Sequence, residues 1–255
     1  MRLWIMSDLH LELTRGWDLP AAGKRPDFDV MIVAGDLITR MERGVKWIIE
    51  RVDRPVIYIG GNHESYGVDI DITLQKARLA AKGTNVHVME NDSIEIDGVT
   101  FLGAVGWTDF NLFGDQERAM RVAGEVMNDF KKIRIDNYGR RLRPAHTLAR
   151  HLETRAFLQR ELSLAKTGPR VVVTHMSFHA EGVRRGHEYD EISAAYASRA
   201  EIPGADLWVY GHTHETRSFL AGDTRVVTNA KGYGPGKAGE TWENPDFDPH
   251  FIIEI

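Results

Sequence analysis

Cysteine is absent from the 255 residues. Disulfides, thiolate metal ligands and a cysteine nucleophile are therefore excluded, and any metal centre has to be assembled from His, Asp, Glu and Asn. Long apolar runs are also missing. No stretch approaches the roughly eighteen uninterrupted apolar residues of a membrane span, and the opening MRLWIMSDLH has neither the apolar region nor the small-residue cleavage site of a secretory signal. A cytoplasmic protein without membrane association is expected. A strong excess of one charge is lacking too: the formal net charge is -5, so attraction to nucleic acid would need a local patch. Core-forming residues are not scarce, since 42% of the chain is hydrophobic. That supports one large α/β domain or two small ones.

Short β-branched and apolar runs recur at Arg2 to Met6, Val30 to Ala34, Val56 to Ile59, Val171 to Thr174, Leu207 to Tyr210 and Arg225 to Thr228, and they read as buried strands. Between some of them lie helical periods, Val45, Ile48, Ile49 and Val52, then Ile70, Leu74, Ala77 and Ala81. Alternation of strand and helix gives an α/β class. Ser93 to Ile96 and Val99 to Ala104 flank Asp97-Gly98, a dipeptide suited to a two-residue hairpin turn, so the sheet is mixed at least locally. Apolar spacing predicts a helix over 115–133 and another from Pro144 toward Lys166. No Gly/Ser tract flanks them. They read as a helical cap insertion, roughly 107–168, within a single domain covering 1–255.

Five of the strands run out into a short stretch of His, Asp or Asn, mostly beside glycine. These stretches are Asp8-Leu9-His10, Gly35-Asp36, Gly60-Gly61-Asn62-His63-Glu64, His175 and Gly211-His212-Thr213-His214. Carboxyl ends of strands are where α/β folds gather ligands, so these five are expected to converge. In extended chain the two-residue spacing of Asp8 with His10, and of His212 with His214, puts each pair on one side. Imidazole, carboxylate and amide donors without sulfur suit Mn, Fe or Zn. Seven such donors exceed one tetrahedral site but fit two ions, roughly 3.5–4 Å apart, sharing a carboxylate. Any one of these residues alone is adequately explained as a turn or cap residue. Five in succession strain that explanation.

Taken in order, Asp-x-His, Gly-Asp, Gly-Asn-His-Glu, a strand-end His and Gly-His-Thr-His resemble the signature of the calcineurin-like metallophosphoesterases, spread from residue 8 to residue 214. The resemblance implies a four-layer αββα sandwich of two mixed sheets with a dinuclear site at the strand ends. By it, Asp8, His10 and His214 would hold one divalent ion and Asn62, His175 and His212 the other, with Asp36 as the bridge. A metal-activated hydroxide would attack the phosphate ester. His63 would protonate the leaving oxygen, and Glu64 would orient His63.

Where many relatives carry two consecutive histidines, this chain has His175-Met176. His179 is the candidate substitute for contact with substrate, and Arg40, shortly after Asp36, the candidate for the phosphate. Trp107 and the segment Asn229 to Tyr233 are candidates for lining the cleft. The basic stretch from Lys131 to Arg155 is compatible with a nucleic-acid contact, but solvated helix faces account for it better in an acidic protein. The expected substrate is a small-molecule or nucleotide phosphate ester, monoester or diester. The competing readings are a catalytically weak interaction scaffold and a nucleic-acid-binding module of the same fold. A cupin-like dioxygenase, suggested by His212 and His214, would leave the upstream donors unexplained.

Overall fold

The computed structural model describes residues 1–237 and 240–255. In chain order it forms β1 (Arg2–Met6), β2 (Val30–Ala34), α1 (Met41–Ile49), β3 (Val56–Ile59), α2 (Ile70–Ala81) and β4 (Val86–Met89). There follow β5 (Asp92–Ile96), β6 (Val99–Ala104), α3 (Gln116–Val126), α4 (Asp129–Lys132), β7 (Arg134–Ile135), β8 (Arg140–Arg141) and α5 (Pro144–Ser163). The last elements are β9 (Arg170–Thr174), β10 (Leu207–Tyr210), β11 (Thr216–Ala221), β12 (Thr224–Asn229) and β13 (Ile252–Glu254).

Two mixed sheets result. The first runs β13-β1-β2-β3-β4, parallel except for the antiparallel edge strand β13. The second runs β11-β12-β10-β9-β6-β5, with a parallel centre and an antiparallel strand at each edge. Period-two alternation explains how they stack. Leu3, Ile5, Ile32 and Ile57 face Phe101, Val171, Val173 and Val209 between the sheets. The alternate residues Trp4, Met6, Met31 and Tyr58 pack outward with Val45 and Ile48 of α1. On the far side Leu102, Val172 and Trp208 meet Phe157, Leu158 and Leu162 of α5. Each such side chain taken fully out of water contributes about 1.5–3 kcal/mol, which drives the four layers, helix, sheet, sheet, helix, together.

Helix ends follow local chemistry. The Asp69 carboxylate accepts from the amides of Asp71 and Ile72 at the start of α2, and Asp115 accepts from Arg118 at the start of α3. Pro144 opens α5, where its missing N–H costs nothing. The helix expected over 115–133 is divided: it stops at Val126, Met127 takes an extended conformation, and a new short turn begins at Asp129. The break turns Asp129 inward, where its carboxylate accepts from Asn62 and Tyr66.

Candidate metal centre and active site

All the parallel strands of both sheets finish at the same edge of the sandwich, so the segments after β1, β2, β3, β9 and β10 meet there. Backbone bonds stitch them together. Asp8 N donates to Gly35 O at 3.0 Å, His10 N to Asp36 O at 3.0 Å, and His175 N to Val105 O at 3.0 Å. The amide of His212 donates to Asp8 Oδ2 at 2.9 Å, and that of His63 to Asp36 Oδ1 at 2.8 Å. Gly61 is needed for close approach: a Cβ there would overlap the Asp36 carboxylate and lie 2.7 Å from His175 Nε2.

The paired residues do not converge through the strand alternation expected from their spacing. Asp8 and His10 adopt φ of 54° and 43°, and His212 and His214 φ of 68° and 52°. Each pair lies beyond its strand, in left-handed turns that aim both side chains at one place. Asp36 shares the conformation, at φ 53°.

The seven expected donors come together, all of them buried or nearly so. His10 Nε2 and His214 Nε2 are 3.1 Å apart, and Asp8 Oδ1 lies 3.4 Å from the latter. Asp36 Oδ2 is 3.7 Å from His10 Nε2 and 3.5 Å from His175 Nε2, between the two halves of the cluster. Asn62 Oδ1 is 3.2 Å from His175 Nε2. Ligand atoms of Asp8, Asp36, His175 and His212 all lie within 4.8 Å of one another, as do those of Asp8, His10 and His214.

This donor set fits divalent cations. His212 Nε2 is buried with no hydrogen-bond partner, a costly arrangement unless something else takes its lone pair. Nδ1 of His175 bonds to the Ala34 carbonyl at 2.9 Å and Nδ1 of His214 to Glu243 Oε2 at 2.6 Å, which leaves both Nε2 atoms facing the cluster. Metal-ligating histidines are held in this way by their other nitrogen.

The electrostatics ask for positive charge. Burial opposes ionisation of Asp8, but the His214 bond and the His175 charge hold its carboxyl at about 2. Asp36 is likewise held well below its usual value, burial being outweighed by His175 and His63. His175 rises to about 10 and His214 to about 9, against burial, because Asp36 faces the first and Asp8 with Glu243 the second. His212 falls to about 3 through burial and repulsion from His175.

His63 stands beside this cluster. Its Nδ1 pairs with Glu12 Oε1 at 2.8 Å, its ring packs 4.2 Å from that of Tyr66 and 4.3 Å from that of His10, and it lines the cavity. Burial lowers its pKa, but Asp36 and Glu12 raise it further, so the net shift is upward. Glu64, expected to orient His63, does something else. Its buried carboxyl accepts from the amides of Asp36, Leu37 and Gly61 and from Tyr58 Oη, at 2.8–3.0 Å, tying the β2 and β3 loops together. Glu12 is the carboxylate at His63.

A cavity of about 370 Å³ opens over the cluster, a size that suits a small ligand. Asp36, Asn62, His63, His212 and His214 form its floor, and Tyr66, Tyr196 and Tyr233 are aromatic parts of its wall. Tyr233, in the segment expected to border the cleft, packs 4.6 Å from the His10 ring. Neither of the two candidate substrate contacts lines this cavity. His179 is 2% exposed, its ring edge against Trp208 at 4.9 Å, because the turn after His175 carries it under the outer face of the second sheet. Arg40 is exposed at the start of α1, bound by its amide to Glu64 O, and does not line the cavity. Trp107 is core, packed among Phe110, Ala123 and Met176. At the cavity rim Arg184 stands instead, 3.0 Å from Glu243.

A double sandwich with a buried Asp/His cluster at its strand ends is the architecture of the metallophosphoesterases. The chain belongs to the calcineurin-like phosphoesterase family, whose model matches residues 1–216. It is 23% identical over 283 residues to an uncharacterized protein of Acanthamoeba polyphaga mimivirus, covering 98% of this chain and 95% of that one. Its fold is similar to that of a phosphopantetheinyl hydrolase from Mycobacterium tuberculosis, with TM-score 0.67 and 22% identity over 91% of this chain and 89% of that one. It is also similar to a dimetal phosphatase from Danio rerio, with TM-score 0.52 and 11% identity over 89% and 86% of the respective chains.

Proposed function

We propose that the chain is a metal-dependent phosphoric ester hydrolase, acting on a small-molecule or nucleotide phosphomonoester or phosphodiester, with Asp36 between two cation sites and His63 as general acid. The observation that carries this reading is the convergence of imidazole nitrogens and carboxylate oxygens, among them the unpaired His212 Nε2, on one buried spot under a cavity. Asp8, His10 and His214 would hold one ion and Asn62, His175 and His212 the other. Mn, Fe and Zn all suit such donors. Divalent ions there supply Lewis acidity, which lowers the pKa of a water and offsets the negative charge of a phosphate ester.

The chain's own residues do the rest. Glu12 fixes the Nδ1 side of His63, leaving Nε2 to hand a proton to the departing oxygen. Tyr66 and His10 pack on the His63 ring and restrict its swing. Glu64 keeps the Asp36 and Asn62 loops in register, so a donor from each sheet strand faces the same spot. The stretch 107–168 acts as a cap of that domain, a reading supported by Val126, Met127 and Asn128 in the cavity wall.

The test is turnover of bis(p-nitrophenyl) phosphate and p-nitrophenyl phosphate by protein stripped with a chelator, then reloaded with Mn. Activity is expected only after reloading. His63→Ala is expected to keep its metal and to lose about 10²–10⁴-fold on alkyl esters, with a smaller loss on nitrophenyl esters. A reloaded protein that cleaves neither ester ends the hydrolase reading.

A further inference from the structure

The short α4 lies some sixty residues beyond the β3 loop in sequence, yet it touches that loop at its most consequential point. Asp129, 1% exposed, accepts at a single oxygen, Oδ1, from Asn62 Nδ2 at 2.9 Å and from Tyr66 Oη at 2.6 Å. Asn62 Nδ2 also reaches Tyr66 Oη at 3.1 Å. On the other face of the same turn, Lys132 Nζ sits 4.9 Å above the Tyr66 ring, and Lys132 O accepts from the amide of Gly67.

An asparagine side chain has two nearly isosteric ends, one a donor and one an acceptor, and rotation by half a turn exchanges them. Only the carbonyl end can serve a cation. Nothing in the Asn62 backbone chooses between the two orientations. Asp129 does, since a carboxylate oxygen already receiving a tyrosine proton accepts an N–H and repels a carbonyl. The amino end of Asn62 is thereby drawn toward α4, and Oδ1 is left 3.2 Å from His175 Nε2, on the cluster side.

We propose that Asp129 is a positioning residue that selects the orientation of the Asn62 amide, so that the insertion between β6 and β9 sets the affinity of one of the two cation sites. The inference rests on the dinuclear reading given above. It also accounts for the broken helix: a continuous helix through Met127 would not deliver Asp129 to this place. Asp129 touches neither ion nor substrate in this role and acts only through Asn62 and Tyr66.

The test measures metal content and not turnover. Full-length protein is stripped, titrated with Mn by calorimetry, and its bound metal counted after gel filtration. Wild type is expected to hold two ions per chain. In Asp129→Leu one ion is expected to remain at wild-type affinity while the other weakens at least about tenfold, the usual scale for losing a residue that orients a ligand. Asp129→Asn keeps a carbonyl oxygen in the place of Oδ1 and is expected within about threefold of wild type at both sites. Folded Asp129→Leu that binds two ions as wild type does overturns the proposal, as does Asp129→Asn that loses the ion as fully as a leucine would. Should the leucine variant not fold, Asp129→Ala takes its place with the same expected and overturning outcomes. Wild type with fewer than two ions overturns the dinuclear reading itself, whereas wild-type binding retained in both variants overturns only the part given to Asp129.

Discussion

The two ends of the sandwich solve the same backbone problem with different residues. At the end where β5 turns into β6, positive φ falls on Asp97 and Gly98, both exposed, with φ of 46° and 79°. A turn of that shape is what an Asp-Gly pair adopts most easily, and it asks nothing further of the side chains. At the opposite end, positive φ falls on Asp8, His10, Asp36, His212 and His214, all with buried or nearly buried side chains. Left-handed backbone costs roughly 1–2 kcal/mol for a residue bearing a Cβ, and here glycine would relieve it. Glycine has no donor atom, however. The contrast teaches that strain at the cluster end is tied to chemistry, while the same dihedral at the hairpin end is only a bend.

Paired substitutions break or sharpen that contrast. The largest effect is expected for Asp36→Asn, with at least about a 10³-fold loss of phosphoesterase activity and weaker binding of both ions, since it removes a charge placed for the reacting group. Asp97→Asn, an equivalent change at the hairpin end, is expected to leave activity untouched and stability within about 0.5 kcal/mol. Steady-state rates and thermal melts of the two side by side check this, and equal losses would erase the distinction between the ends.

Next in size is stabilisation by the ion. Mn at about 100 times its Kd is expected to add about 2.7 kcal/mol for each site filled. At about 2–4 °C per kcal/mol for a chain of this length, that raises Tm by several degrees, read by calorimetry with and without chelator. An unmoved Tm would mean that the cluster end gathers its histidines and carboxylates for no ligand at all. A smaller change is expected for Glu12→Gln. It keeps a hydrogen bond to His63 but not the charge, and about tenfold of kcat on alkyl esters is expected to go while metal content stays. Smallest is Arg40→Ala, whose side chain does not line the cavity: kcat/KM is expected within about twofold of wild type, and a tenfold fall would restore Arg40 as a phosphate contact.

The parts of the fold most legible in the sequence are the strands buried on both faces and the hairpin marked by its turn. β1, β2, β3, β6 and β10 occupy their expected ranges because a central strand reads as an unbroken apolar run. Of the edge strands, β5 is legible through its Asp97-Gly98 turn, while β4, β11 and β13 are not. β11 alternates exposed and half-buried residues, the apolar run of β4 is interrupted by His87, and β13 is only 3 residues long. The break at Met127 was hidden because Phe130 and Ile133 continue the apolar spacing of α3 even though the chain has left the helix.

At the site, the seven donors could be found because each follows a strand beside recognisable neighbours. Their supporting carboxylates were harder. Glu12 carried a usable signal, standing two residues beyond His10 just as His10 stands two beyond Asp8. Glu243 and Asp129 carried none, since the first lies in an irregular tail segment and the second resembles any helix-capping acid. His179 carries a related ambiguity. A buried histidine with an apolar neighbour such as Trp208 looks, in one dimension, like a histidine at a cleft.

The donors Asp8 and His214 sit at nearly opposite limits of the stretch that carries the cluster, and they lie 3.4 Å apart. During synthesis, therefore, the tip of the first strand can meet the loop after β2 early, but its contact with His214 waits until more than two hundred further residues have followed. Closing so wide a loop makes assembly slow compared with folds built from neighbours. On the dinuclear reading proposed above, ion capture would belong to the last stage of that assembly, and metal added late would act as the clasp.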